Sequence, residues 1–433
     1  MKLNKYLLMA AMGLGLVACT ENDLVEGGDS NGAQNEGTTY VGFTIDFGEM
    51  GTRAIGTASG TAEESKVNTV YAILANGNDV ISAVKMNAYP ENEPKKYMFA
   101  TSPGTYDLYV VVNPDETSIN PTSIETYLQT GVALSVTSIA ASDNFMMSST
   151  EKAEVYIQDN VTEKEAQDGT DASTNNFTVN VERVTAKVTM TCADPKLTDK
   201  SGGDAGGTLN SASFYLKNRA LISTRKAVST PLILDIDRDF ESPTTATEIK
   251  LTKSTEKADA TPVYCLENIQ ETYDKQGKIT YASLSTVFIP SKVVKCDDAD
   301  NGGAEADFKD NSSVATFRVV TKGTLSGAYI LDSELTSYKN DNENKLPAGV
   351  EEVSDPYANG VCWFGPIWVG ENGSSYAIER NHWYNLNITG ITLPGSPNEI
   401  VPDPEIPPHP ATNVAITLTV EPWTTVDRDI ELQ

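Results

Sequence analysis

Apolar and polar residues alternate with period two along much of this chain, and no long stretch sustains the 3.6-residue period of a helix. The clearest alternation near the start spans residues 40–47. Val41, Phe43, Ile45 and Phe47 fall on one side, with Gly42, Thr44 and Asp46 on the other. That is the signature of a strand with one buried face. A matching pattern closes the chain, where Val414, Ile416, Leu418 and Val420 alternate with Asn413, Ala415, Thr417 and Thr419. Between them, strand-like runs at 67–75, 97–101, 105–113, 152–159 and 177–191 make up a first half. Pro114 ends the third of these runs, because proline cannot donate to a ladder. A short helix is predicted around 123–130. Further runs at 211–217, 231–236, 261–266, 283–290, 314–321, 360–369 and 375–391 make up a second half, after a Gly- and Asp-rich loop at 199–207 that reads as a domain boundary. Short strands separated by turn clusters predict an all-β protein of two tandem β-sandwiches rather than one barrel.

The ends of the chain are organised differently. Lys2 and Lys5 precede an apolar segment at 6–17 that is too short to be a membrane span and reads as a signal peptide. It ends in Leu16, Val17, Ala18 and Cys19, the small residues and lone Cys of a bacterial lipobox; an ordinary signal peptide with an incidental Cys is the plainer alternative. On the lipobox reading the Cys19 thiol carries a lipid and becomes the new N-terminus. No Asp follows the Cys, which favours the outer membrane. Residues 20–39 are polar and Gly-rich and read as a flexible spacer. Downstream of Phe47 the segment GEMGTR, ending in Arg53, reads as an exposed, protease-accessible loop. A good core strand therefore precedes a cut site. At the other end, residues 401–410 hold five prolines in ten positions, an extended spacer that cannot continue a sheet. A strand hinged by such a spacer can leave the body of its own subunit.

Composition narrows the chemistry. The 433 residues carry a formal charge of −28, which argues against binding nucleic acid. Beyond Cys19 there are four cysteines, Cys192, Cys265, Cys296 and Cys362, none at CxxC spacing; their pairing cannot be read from spacing. With two histidines in the chain, a zinc site is not expected. No Gly-x-Ser-x-Gly elbow occurs, His382 lies inside a strand pattern and His409 in the proline spacer, so no enzymatic role is expected. No cofactor is expected either. Asp298, Asp300 and Gly302 resemble the opening of a calcium loop, but Lys309 stands where a bidentate Glu belongs. Asp235, Asp237 and Asp239 have the opening spacing with Phe240 where the turn needs Gly. A structural calcium ion is left as a minor expectation without named ligands.

What remains is mechanical. If a cut at Arg53 removes the strand at 40–47, the first domain loses a strand and exposes apolar side chains and unpaired backbone groups. A strand from another copy can repair the defect by strand addition. Burying Val414, Ile416, Leu418 and Val420 at about 1.5–3 kcal/mol each offers roughly 6–12 kcal/mol, partly offset by ordering the tail. Donor and acceptor are different surfaces, so the contact runs head to tail and builds a filament. The plainer alternative keeps both terminal strands in one monomer, a surface lipoprotein that binds carbohydrate or host protein through its loops.

Several segments, taken in order, resemble the type V pilus fimbrillins, and the shaft subunit of short fimbriae among them. They are the lipobox and the strand before Arg53 and Ala54, YVVVN at 109–113, FMMSS at 145–149, VERVTAKV at 181–188 and YCLEN at 264–268. CWF at 362–364, ERNHWYNL at 379–386 and the proline-spaced final strand with Trp423 and DIEL at 429–432 complete the set. The resemblance implies two transthyretin-like β-sandwich domains with a C-terminal donor strand. It divides the chain into a lipoprotein signal peptide (1–19), a propeptide with a placeholder strand (20–53), an N-terminal domain (54–195), a C-terminal domain (196–400) and a proline-rich hinge with donor strand (401–433). It implies cleavage between Arg53 and Ala54 by an arginine-specific or trypsin-like protease. Val41, Phe43, Ile45 and Phe47 are then the placeholder residues, and Val414, Ile416, Leu418, Val420, Trp423, Ile430 and Leu432 the donor residues. The implied partners are other copies of the chain, tip, accessory and anchor pilus subunits, and host or bacterial surface receptors. The implied location is the outer membrane as a lipoprotein precursor and then the cell-surface fimbrium, serving adhesion, biofilm formation and virulence. Removing residues 1–53, with 3 basic and 7 acidic residues, takes the charge from −28 to −24 in the mature subunit.

Overall fold

A computed structural model of the chain describes residues 38–47, 58–59, 61, 63–87, 96–114, 116, 118–129, 132–133, 140–141, 143–149, 151–192, 206–220, 222–225, 248–251, 259–296, 308–370, 375–391, 394–409 and 414–424. Strands dominate, as the alternating pattern predicts, and the helices are short; Ile124–Gln129 forms the one predicted around 123–130.

The first half is built on one eight-stranded sheet. Its strands are β1 (Thr39–Asp46), β2 (Thr69–Asn76), β3 (Asp79–Asn87), β4 (Lys96–Thr101), β5 (Gly104–Val112), β6 (Met147–Ser149), β7 (Ala153–Ile157) and β8 (Asn176–Arg183). The order is β3-β2-β5-β6-β8-β1-β4, with β7 also paired to β5. Every strand but β3 sends buried side chains into one apolar cluster, including Val41, Phe43, Leu74, Phe99, Val110 and Val181, while Val84 and Met86 of β3 pack against it half-buried. A sheet whose two ends meet in a single core has folded over on itself into a sandwich.

The second half is a sandwich of two sheets. Its strands are β9 (Thr185–Thr191), β10 (Gly207–Lys217), β11 (Ile249–Lys250), β12 (Val263–Leu266), β13 (Tyr281–Pro290), β14 (Val361–Trp368), β15 (His382–Ile391) and β16 (Val414–Thr424). One sheet runs β12-β9-β15-β16 and ends on the two-residue strand Ala58–Ser59; the other runs β11-β10-β13-β14. Between them lies a core containing Val188, Met190, Phe214, Leu284, Phe364 and Leu386. The four described cysteines are buried, and burial pushes the Cys362 thiol up to about 12, so it is an inert thiol in this core.

The run at 177–191, which alternates as if it were one strand, is two. β8 belongs to the first sheet and β9 to the second, so the chain crosses between the sheets at Val184. β9 is buried at all seven positions. Ala186, Val188 and Met190 enter the sandwich core, while the opposite face is held by polar contacts. There Trp383 Nε1 donates to Thr189 Oγ1 at 2.8 Å, Thr189 Oγ1 donates to Asn385 Oδ1 at 2.9 Å, and Lys187 Nζ stands 3.8 Å over the Trp383 ring. An alternating sequence with both faces buried is indistinguishable, by pattern alone, from one with a wet face.

Candidate functional site

β1 sits inside the first sheet rather than at its edge. It pairs in parallel with β8, from Gly42 opposite Asn176 to Asp46 opposite Asn180, and antiparallel with β4, from Thr39 opposite Thr101 to Thr44 opposite Lys96. The alternation read from the sequence holds: Val41 and Phe43 are fully buried, and Ile45 and Phe47 pack half-buried against the same cluster. Phe43 stacks on Tyr97 with ring centroids 5.5 Å apart and meets Phe99 edge-on at 6.2 Å. Burial of Val41 and Phe43 alone is worth about 1.5–3 kcal/mol each.

The polar face is fitted as closely. A helix at Glu163–Asp168, capped by reciprocal Thr162 and Glu165 contacts, lies over Gly42. A Cβ on Gly42 would stand 2.4 Å from the Ala166 carbonyl oxygen, so only glycine allows this approach. Tyr40 N donates to Val161 O at 3.1 Å and Gly42 N to Asn175 O at 3.0 Å. Asn175 is left-handed (φ 54°), which aims its side-chain amide at Tyr40 O (3.0 Å), Gln158 O (3.0 Å) and Thr39 Oγ1 (3.3 Å). Thr39 Oγ1 in turn donates to Gln158 O at 2.8 Å and accepts from Val161 N at 3.0 Å. Removing β1 would strip the aromatic floor of Tyr97 and Phe99 and leave these groups without partners.

The C-terminal strand β16 lies on its own subunit. It pairs antiparallel with β15, from His382 opposite Pro422 to Ile391 opposite Val414, which takes in the backbone of Val414, Ile416, Leu418 and Val420. On its other side Ala58 and Ser59 pair in parallel with Trp423 and Thr424. Among the described residues β16 thus has a full-length neighbour on one side only. The proline run before it is fastened rather than free. Gln276 N donates to Ile406 O (2.8 Å), Gln276 Nε2 to Pro407 O (2.9 Å), Gly277 N to Pro404 O (3.1 Å) and Trp368 Nε1 to His409 O (2.7 Å). Composition marked the run as a spacer, but the donors that hold it come from distant segments and leave no trace in its sequence.

Cys19, Arg53, Ala54, Ile430 and Leu432 lie outside the described residues, as do the acidic stretches at 235–239 and 298–303 considered for calcium. Among the described residues no cluster of His, Cys, Asp and Glu is arranged to hold a metal ion.

Sequence reasoning missed the charged junction between the two halves. Glu64, in a 3-10 turn at Glu63–Ser65, is 2.8 Å from Lys187 of β9 and accepts from Tyr264 OH of β12 at 2.5 Å. Arg183, 1% exposed, donates to Glu64 O (3.0 Å), Asn381 Oδ1 (3.1 Å) and Ser65 Oγ (3.1 Å). Burial lowers its guanidinium to about 10 against the pull of Glu64, so it stays charged. Nearby, Arg380 pairs with Glu267 and donates to Thr224 O (2.8 Å) and Arg225 O (2.9 Å). Arg and Lys inside otherwise apolar alternating runs were the available signal.

These two halves have the architecture of a solved fimbrilin from Porphyromonas gingivalis W83, with a TM-score of 0.52 at 16% identity over 91% of this chain and 99% of that chain. Also similar are a putative cell adhesion protein from Parabacteroides distasonis ATCC 8503 (TM-score 0.48, 12% identity, 90% and 98% covered) and the C-terminally truncated tip fimbrial protein Mfa3 from P. gingivalis (TM-score 0.42, 14% identity, 89% and 100% covered). Residues 356–429 match the family described as "Major fimbrial subunit protein type IV, Fimbrillin, C-terminal", a span that takes in β14, β15, the proline run and β16. No curated protein sequence matches the chain. The chain thus shares the fold of that fimbrilin, and its residues 356–429 match the fimbrillin C-terminal family.

Proposed function

We propose that this protein is a shaft subunit of a type V pilus, exported as a lipoprotein on Cys19 and polymerised by protease-triggered strand exchange. The placement of β1 carries the reading. It is an interior strand with Val41 and Phe43 in the core, yet it belongs to the N-terminal piece that a cut at Arg53 would release. Its loss opens a slot between β4 and β8, lined by Tyr97 and Phe99. The slot suits an incoming strand with alternating apolar residues, and Val414, Ile416, Leu418 and Val420 of another copy provide that alternation. Trp423, Ile430 and Leu432 extend the same donor. β16 can be given up because its loss leaves the two-sheet core of its own domain anchored by β9, β12 and β15. The role is structural, with the other fimbrial subunits as partners and the cell surface as the site of assembly. The domain division at 54–195, 196–400 and 401–433 belongs to the same proposal.

The test is to treat purified precursor with a trypsin-like protease and run it unboiled on an SDS gel. A ladder is expected that disappears in Arg53→Ala and on deletion of residues 412–433. Clean cleavage at Arg53 with the product remaining monomeric would sink the reading.

A further inference from the structure

We propose that the proline run stays fastened to its own subunit as far as His409 while the C-terminal strand beyond it departs in strand exchange. This deepens the strand-exchange reading and rests on it.

A proline-rich segment has few N–H groups to offer, so it can be held chiefly through its carbonyl oxygens. The body of the subunit supplies donors for that purpose. The backbone and side-chain amides of Gln276 reach Ile406 O and Pro407 O, Gly277 N reaches Pro404 O, and the Trp368 indole reaches His409 O. Gln276 is 1% exposed, so its side chain is built into the body and committed to this contact. Lys275 adds an ion pair with Glu405. Upstream, Lys217 pairs with Glu399, and Trp363 and Ser396 exchange backbone hydrogen bonds at 2.8 and 2.7 Å. Attachment is therefore spread from Ser396 to His409. Among the described residues the backbone of β16 is paired along its length by β15. The fastened run reaches His409, and β16 begins at Val414.

Two consequences make this useful to a polymer. The run is ordered when the subunit folds, so its conformational entropy is not lost again during assembly. Each copy also presents its donor from the same exit, with roughly 75 Å of extended chain beyond Pro410 available to enter a neighbour.

The structure offers a staple to test it. A Cβ on Gly277 would stand 2.9 Å from Pro404 Cβ, near the span that a disulfide bridges after a small adjustment. The full-length precursor carrying Gly277→Cys and Pro404→Cys is oxidised, cleaved with a trypsin-like protease and compared on unboiled gels with its reduced form and with the unmodified protein. The native thiols described are all buried, which leaves the new pair to react. The oxidised form is expected to build the same ladder as the reduced form, at a rate within about twofold. A ladder lost on oxidation and restored by dithiothreitol overturns the proposal while leaving strand exchange standing. If the unmodified protein itself forms no ladder, the strand-exchange reading fails, and this one with it.

Hydrogen exchange on the unmodified protein gives a second measurement that does not depend on the staple folding. The amides of Gln276 and Gly277 should be protected in the precursor and remain so in the polymer. A rise of tenfold or more in their exchange on assembly overturns the proposal.

Discussion

Glu64 and Lys187 face each other at 2.8 Å, with side chains 3% and 5% exposed, and they come from opposite sides of the junction between the two halves. Burial alone would raise the Glu64 carboxyl. Lys187, the Tyr264 hydroxyl and the Thr61 N–H more than offset this and hold it below its ordinary value. Breaking one partner of such a pair leaves a buried charge and costs about 3–5 kcal/mol, whereas replacing both is far milder. Lys187→Met is therefore expected to destabilise the chain by that amount in urea melts. The double variant Glu64→Gln, Lys187→Met should lose much less than the sum of the singles. Because the Glu64 value is depressed, its contribution is complete above the ordinary glutamate value and is lost as pH falls through the lower folded value. Glu64→Gln should flatten the acid limb of the stability profile.

Glu182 behaves in the opposite sense. Burial pushes its carboxyl up to about 7, Arg380 opposing and Glu267 adding to the rise. Arg380 Nε is 3.9 Å away, and Oε1 accepts no hydrogen bond among the described residues. A raised carboxyl means that the folded chain binds the extra proton, so this contribution is present at low pH and is lost as pH rises to about 7. Glu182→Gln should raise the melting temperature by a few degrees at pH 8 and change it little at pH 4. Calorimetry at the two pH values checks the sign.

Phe43→Ala should destabilise the uncut precursor by about 3–5 kcal/mol, the usual cost of deleting a buried aromatic side chain. Once β1 has been released and its slot refilled, the same substitution should have no effect on the heat resistance of the polymer. Comparing precursor melts with the dissociation temperature of ladders separates the two states.

Gly42→Ala drives a methyl group into the Ala166 carbonyl from 2.4 Å, and overpacking of this kind costs about 1–3 kcal/mol. The expected outcome is a precursor whose β1 exchanges amide protons faster than in the unmodified protein, read by mass spectrometry on peptides covering 39–46.

Ala58 and Ser59 line the outer edge of β16 at Trp423 and Thr424, a few residues beyond the proposed cut at Arg53. Such a cut would place this pairing close to a new N-terminus and weaken its hold on β16. Amide exchange in 414–424 should then rise several-fold in the cleaved monomer, measured at dilutions that prevent assembly. Unchanged exchange would show that this pairing does not restrain the strand.

Much of the fold was legible because most strands bury one face, and the alternations at 40–47 and 414–420 announce that directly. Legibility ended where burial was not periodic. Lys187, Thr189 and Thr191 look like a wet face in sequence but are held against Asn385, Trp383 and Glu64, so β8 and β9 read as one strand. Alternation also states that Val414 to Val420 has an apolar face without saying whose surface covers it. The fastened proline run was hidden for a third reason. Its ligands, Gln276, Gly277 and Trp368, lie far away in sequence, and its composition resembles that of an unattached spacer.

The charged junction has a mechanical side. Arg183 reaches from the end of β8 to Glu64, Ser65 and Asn381, and Lys187 is wedged between Glu64 and the Trp383 ring. Shearing the two sandwiches past each other would separate buried charges, so this junction resists relative motion of the two halves. If such subunits are strung into the proposed shaft, bending of the fibre falls on the contacts between neighbours rather than on this junction.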